Sequence, residues 1–277
     1  MKVVVFVHPD TDAFWTQVSL GGIAEEIARK RYSVVYADVE KVTDIDLDRI
    51  FADEPRRLLL YIGNSAHCLP ADLQYLTANG VHVILVNHET DLLTGNCSKV
   101  LLDYRGGMYT SVQYLCAHGR KRIALFGINP CSSTDLVKKQ FFTEYLLKND
   151  GSPERDIYYN HANVQSCIAA FLQSHTLYNA VICANDIVAL ALIRALTKEG
   201  VRVPEDLSIV GFDDIPLSRY TTPPLTTVRQ NRTELGKSAF YALTSLMNSV
   251  PISTLLLHAE LIVRESSGPA PGAPLSP

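Results

Sequence analysis

Long apolar runs are missing from this 277-residue chain, and with them a membrane-spanning helix, which needs about 20 consecutive apolar residues. Paired cysteines are missing too. Cys68, Cys97, Cys116, Cys131, Cys167 and Cys183 are scattered without a C-x-x-C, so they read as reduced structural thiols, not a disulfide framework. The eight histidines include no H-E-x-x-H and no other paired ligand spacing, so neither a metal nor a cofactor is expected. A basic stripe is lacking as well: formal net charge is −4, and the longest basic cluster is Gly119-Arg120-Lys121-Arg122, a turn before a strand. A domain that grips nucleic-acid phosphates carries such a stripe, so any DNA contact is expected outside this chain or on a small part of it. No G-x-G-x-x-G follows the first strand, and no G-x-x-x-x-G-K-[ST] or G-x-S-x-G is present; nothing argues for an enzyme. The opening MKVVVFVHPD breaks at His8-Pro9 and has no small-residue cleavage site. It reads as a first strand and not a signal peptide, which predicts a cytoplasmic protein.

What the chain does have is an ordinary globular composition, 47% hydrophobic and 19% charged, at a length that suits about two domains. Short, near-continuous apolar runs predict strands at Val3–His8, Ser33–Asp38, Leu58–Gly63, His82–Asn87, Arg122–Gly127, Asp156–Asn160, Ala180–Asn185 and Leu207–Asp213. Such runs suit strands covered on both faces. Helix-length segments lie between them: Phe14–Lys30, Ala71–Asn79, Tyr104–His118, Asp135–Lys148, Val164–Ser174 and Ile187–Glu199. This alternation predicts parallel sheets of βαβ units. Asn231 and Glu234 form a capping box for a further helix, Arg232–Asn248, with one apolar stripe. The basic turn at residues 119–122 opens a second βα series that echoes the first, so two similar lobes are expected. The expected division is 1–120 plus 229–252 for the first lobe, 121–228 plus 253–265 for the second, and 266–277 as a disordered tail. Leu225–Gln230 and Leu255–Val263 come after the second series and are candidates to cross between lobes.

Ligands in open α/β sheets bind at the carboxyl ends of strands. Here those ends carry Asp12-Ala13-Phe14-Trp15, Asn64, Asn87, Asp103, His161, Asn185-Asp186 and Asp213-Asp214. Carboxylates and amides suit the paired hydrogen bonds of a polyhydroxylated ligand, and an aromatic face covers the C–H side of a ring. Trp15, the single tryptophan, is either such a face or a core or interface aromatic. One of Asn185 and Asp186 should cap the following helix. Asp214 is read as a cap for the turn at Ile215–Ser218, and since neighbouring side chains on extended backbone diverge, Asp213 is the better pocket candidate. His161 by position alone fits a surface histidine as well as a contact.

Three segments together resemble the effector-binding domain of LacI/GalR-type transcriptional regulators: Ala184-Asn185-Asp186-Ile187-Val188-Ala189-Leu190-Ala191, then Gly200 through Asp214 with its Gly211-Phe212-Asp213-Asp214 turn, then Pro223-Pro224-Leu225-Thr226-Thr227-Val228. Phe14-Trp15, Gly22, Asp103 with Gly106-Gly107, and His118-Gly119 followed by Arg122-Ile123-Ala124 extend it through the first half. The resemblance implies a type I periplasmic-binding-protein-like fold, in which two doubly wound parallel-sheet lobes joined by three crossings enclose an effector. It implies that Asn185 and Asp213 hydrogen-bond a small sugar or related metabolite, that Trp15 stacks or packs on it from the first lobe, and that Asp103 lies near the hinge side of the cleft; Phe14, Asn64 and His161 are further ligand-binding candidates from their places after strand ends. Lys138 stands where family members usually carry Arg, and Lys cannot reproduce a bidentate fork. The resemblance further implies a homodimer whose contact with operator DNA runs through a helix-turn-helix headpiece that this chain does not contain, with no membrane partner. Rival readings are a solute-binding protein of a transport system and an α/β enzyme acting on small polar substrates.

Overall fold

A computed structural model describes residues 2–8, 13–37, 39–63, 69–88, 90, 96–161, 163–248, 250, 252 and 254–268. Chain order is β1 (Lys2–Val7), α1 (Ala13–Lys30), β2 (Ser33–Ala37), α2 (Leu47–Ile50), β3 (Arg57–Ile62), α3 (Leu69–Ala78), β4 (Val81–Val86) and β5 (Cys97–Leu102). Then follow α4 (Tyr104–Ala117), β6 (Ile123–Ile128), α5 (Ser133–Lys148), α6 (Pro153–Asp156), β7 (Ile157–Tyr159), α7 (Val164–Leu172), β8 (Ala180–Cys183) and α8 (Asp186–Lys198). The last elements are β9 (Ser208–Asp213), β10 (Thr226–Arg229), α9 (Arg232–Met247), β11 (Thr254–Leu257) and β12 (Glu260–Ile262).

The strands form two six-stranded sheets, ordered β11-β5-β4-β3-β1-β2 and β12-β10-β9-β8-β6-β7. The first is parallel throughout, and the second is parallel except for β12, which runs antiparallel to β10. Most of their strands are buried along their length because helices cover both faces. Val4, Phe6, Leu59, Tyr61, Val83 and Leu85 centre one core, and Ala124, Phe126, Val181, Cys183 and Ile209 centre the other. No helix of the described residues is long and apolar enough to cross a membrane. Five of the cysteines are free among those residues. Burial pushes the Cys97 thiol up to about 12 and Cys167 up to about 11, as suits inert thiols.

The chain divides into two compact units. One comprises Met1–Leu102, Cys131–Thr134 and Asn231–Leu257; the other comprises Asp103–Pro130, Asp135–Gln230 and His258–Pro277. Three features differ from the sequence expectation. Helix α4 belongs to the second unit and not the first, because Gly107 brings its backbone against the second core: a Cβ there would stand 2.8 Å from Val228 and 3.1 Å from Phe212. Strand β5 is absent from the expected runs, since Ser98 and Lys99 interrupt its apolar character; both are buried, and Lys99 Nζ donates to the Thr90 carbonyl at 2.9 Å. Residues 266–268, expected in the tail, pack against the second unit. Ser266 and Ser267 are buried, Ile209 N–H donates to Ser266 O at 2.7 Å, and Arg120 Nε donates to Gly268 O at 3.1 Å.

Arg120 itself, expected in a basic turn before a strand, is fully buried, and its guanidinium also donates to the carbonyls of Pro204 (2.6 Å) and Glu205 (3.2 Å). The expected crossing Leu255–Val263 runs from β11 in the first sheet to β12 in the second. Strand β10 pairs with β9 before the chain leaves the second unit after Gln230.

Candidate functional site

Four parallel strands of the second sheet, β6, β7, β8 and β9, deliver their carboxyl ends to one edge. Asn185 follows β8 and caps α8. Its Oδ1 accepts from Val188 N–H at 2.9 Å, satisfying one of the orphan donors of the first turn. That bond uses the amide oxygen and turns the NH2 group into the side chain's remaining donor. Asp213 ends β9 and is 8% exposed. Its backbone sits at φ 111°, followed by Asp214 at φ 52°, both in the left-handed region that costs a non-glycine residue free energy.

Lys138 ties these strand ends together from beneath. It is 4% exposed; Nζ donates to Asp135 Oδ1 at 2.8 Å and to the carbonyl of Ala184, the residue before Asn185, at 2.6 Å. The ammonium also lies 4.8 Å from the ring centroid of Phe212, the residue before Asp213, and 5.1 Å from that of Tyr104. Burial works against the charge, but the carboxylates of Asp135 and Asp213 outweigh it and hold Lys138 above its ordinary value. Asp135 is in turn fixed by Asn129 N–H, which donates to Oδ2 at 3.0 Å.

Beside this cluster is a second buried carboxylate. Asp186, fully buried at the start of α8, accepts from Ile215 N–H (2.9 Å), Ser218 Oγ–H (2.6 Å) and Thr227 Oγ1–H. Burial, with the Asp213 charge adding to it, raises its pKa to about 7 against the lowering effect of those donors. Asp214 does not cap the turn at Ile215–Ser218. Its side chain is 3% exposed and accepts from Arg229 Nε (2.7 Å) and from Arg264, because β10 and the segment just after β12 bring arginines to it. Burial alone would raise its pKa, yet those two guanidiniums hold it below the ordinary value.

Of the residues singled out from sequence, Asn185, Lys138 and Asp213 therefore share one edge. His161 follows β7 on the same sheet, exposed and stacked on Tyr159 with ring centroids 5.4 Å apart. Asp103 caps α4: its Oδ1 accepts from Gly106 N–H at 2.7 Å, and Oδ2 stands 3.5 Å from His258 Nδ1. It also lines a cleft of about 680 Å³ between α4 and α5, walled by Tyr109, Phe141 and Tyr145. Phe14 and Trp15 lie on α1, but their side chains, like the whole of Asn64, fall outside the described residues. Asp135 and Asp186 escape sequence reasoning as site builders. The spacing of Asp135 three residues before Lys138 on one helix is the signal that could have found the first.

The chain is thus a two-sheet α/β protein with polar groups at the strand ends of its second sheet. The family model for the periplasmic binding protein-like domain matches residues 112–267. The HTH-type transcriptional repressor PurR of Pasteurella multocida is 32% identical over 186 residues, covering 65% of this chain and 54% of the relative. The chain thus spans about half the length of that curated relative. Among solved structures, the transcriptional regulator CelR–cellobiose complex aligns with TM-score 0.79 at 24% identity, covering 96% of this chain and 84% of the other. The lac repressor dimer bound to operator and the anti-inducer ONPF aligns with TM-score 0.82 at 21% identity, covering 96% and 81%. The chain belongs to the periplasmic-binding-protein-like family, as an effector-binding domain of the LacI/GalR type.

Proposed function

We propose that this chain is the ligand-sensing domain of a transcriptional regulator and that it binds a small sugar or related polyhydroxylated metabolite without turning it over. The observation that supports this most is the convergence of Asn185 and Asp213 on one strand edge over the buried Lys138 ammonium. The Asp213 carboxylate supplies acceptors for a pair of ligand hydroxyls, and the Asn185 amide supplies a donor. His161, stacked on Tyr159, offers a further polar contact on the same sheet. Asp103 is assigned to the approach to this edge, Lys138 acts from below it, and Phe14, Trp15 and Asn64 are the first-unit candidates. The cellobiose of the CelR complex supports a sugar, and the names of the relatives support repression of transcription. DNA contact then belongs to a helix-turn-helix module joined to a domain like this one, working as a homodimer. Binding alters operator affinity only in so far as the ligand has different affinities for two states of the regulator.

A thermal-shift screen across sugars (cellobiose and ribose among them), sugar phosphates and purines tests the reading. A ligand held about a hundredfold above its Kd stabilises the fold by about 2.7 kcal/mol. Asp213→Ala and Asn185→Ala should each abolish the shift given by the best hit while the ligand-free variants stay folded. An undiminished shift in both variants would place the site elsewhere.

A further inference from the structure

The left-handed pair Asp213–Asp214 needs something to hold it, and the neighbouring buried carboxylate is built to do so. Asp186 is fully buried and spends both oxygens on the backbone and side chains that flank that pair. Downstream, Ile215 N–H and Ser218 Oγ–H donate to Oδ2 at 2.9 and 2.6 Å. Alongside, the Thr227 hydroxyl donates to Oδ1 and itself accepts from Asp214 N–H at 3.4 Å. Upstream, Gly211 leaves room for the carboxylate: a Cβ on that residue would stand 2.3 Å from Oδ1. Thr227 and Gly211 are also register partners between β10 and β9. One carboxylate therefore ties the turn after Asp213 to the strand beside it, with Gly211 leaving it the room to do so.

We infer that Asp186 is the positioning residue for Asp213, fixing the unfavourable backbone that aims the Asp213 carboxylate, and that it acts on ligand through Asp213 without touching ligand itself. This rests on the reading of Asp213 as a ligand contact. The merely architectural alternative, a helix-start carboxylate that stabilises α8 and nothing more, predicts a different pattern of opening. Hydrogen exchange of the whole chain at pH 8 separates the two. In Asp186→Asn, the amides of Asp214, Ile215 and Ser218 should exchange roughly tenfold faster or more, the factor matching loss of one charge-assisted hydrogen bond. Residues 208–212 of β9 and the body of α8 should keep wild-type protection. Should Asp186→Asn fail to fold, Thr227→Val, which keeps the shape and removes the hydroxyl, should speed Asp214 selectively. Unchanged exchange at 214–218, or a uniform rise across the second unit, overturns the inference. A binding cycle with cellobiose, or with the best hit of the screen if cellobiose gives no shift, completes the test. Asp186→Asn should weaken binding at least fivefold in the wild-type background and have no further effect on top of Asp213→Ala; equal effects in both backgrounds overturn the positioning role. If Asp213→Ala alone leaves binding intact, the ligand-contact reading fails, while the exchange pattern still decides what Asp186 holds.

Discussion

The two units share one strand plan and differ in what they bury at the carboxyl edge. In the first, the strand ends lead to His8, Asn87 and His88, all buried, and Tyr61 Oη–H donates to Asp72 Oδ2 at 2.6 Å. In the second, ionisable side chains gather near that edge: Lys138 with Asp135, Asp186 among three donors, and Asp214 between Arg229 and Arg264. Buried ionisable groups are tolerable only where partner geometry is complete. The second unit, with more such groups at its edge, therefore has more at stake in the completeness of their partners.

The largest expected effect tests that stake. Lys138→Met strands the buried Asp135 carboxylate and should destabilise the fold by about 3–5 kcal/mol in urea denaturation. Adding Asp135→Asn should recover part of the loss. A cost below about 1 kcal/mol would erase the contrast between the units.

Next in size is a pair of opposed pH dependences. Asp186 titrates near 7 in the fold, above its ordinary 3.8. Its contribution to stability is complete below about pH 4 and is lost as pH rises through 7. Asp214 is held below its ordinary 3.8, so its contribution is present above about pH 4 and is lost as pH falls through its lower folded value. Urea midpoints measured from pH 3 to 8 should show Asp186→Asn flattening the neutral limb and Asp214→Asn flattening the acid limb. Either variant flattening the other's limb would reverse the assignments. The smallest effect is in the first unit: Tyr61→Phe removes a single hydroxyl donor to Asp72 and should cost about 1 kcal/mol, measured in the same denaturation series.

The contrast between units is only half legible in the sequence. The two βα series, the strand ends and the Asn185 cap follow from local pattern, because apolar runs and caps are written within a few residues of each other. Asp186 sits one residue past the cap and reads simply as a helix start; the groups that give it a role, Ser218 and Thr227, are 32 and 41 positions away. Arg120 misleads in the same manner, since its three carbonyl partners come from residues 204, 205 and 268. Burial of charge is a tertiary property. It emerges where distant segments meet, and the residue type alone predicts the opposite, an exposed turn.

The division of β11 and β12 between the two sheets has a consequence for how this molecule is made. The first sheet lacks an edge strand until residues 254–257 have been synthesised, and the second until 260–262. The growing polypeptide therefore carries two open edges until residue 254 has been made, and one until residue 260. Cutting the gene at any midpoint would thus yield two incomplete fragments, whereas a protease nick near residue 258 would leave β11 joined to the first unit and detach only β12 and the residues after it from the second.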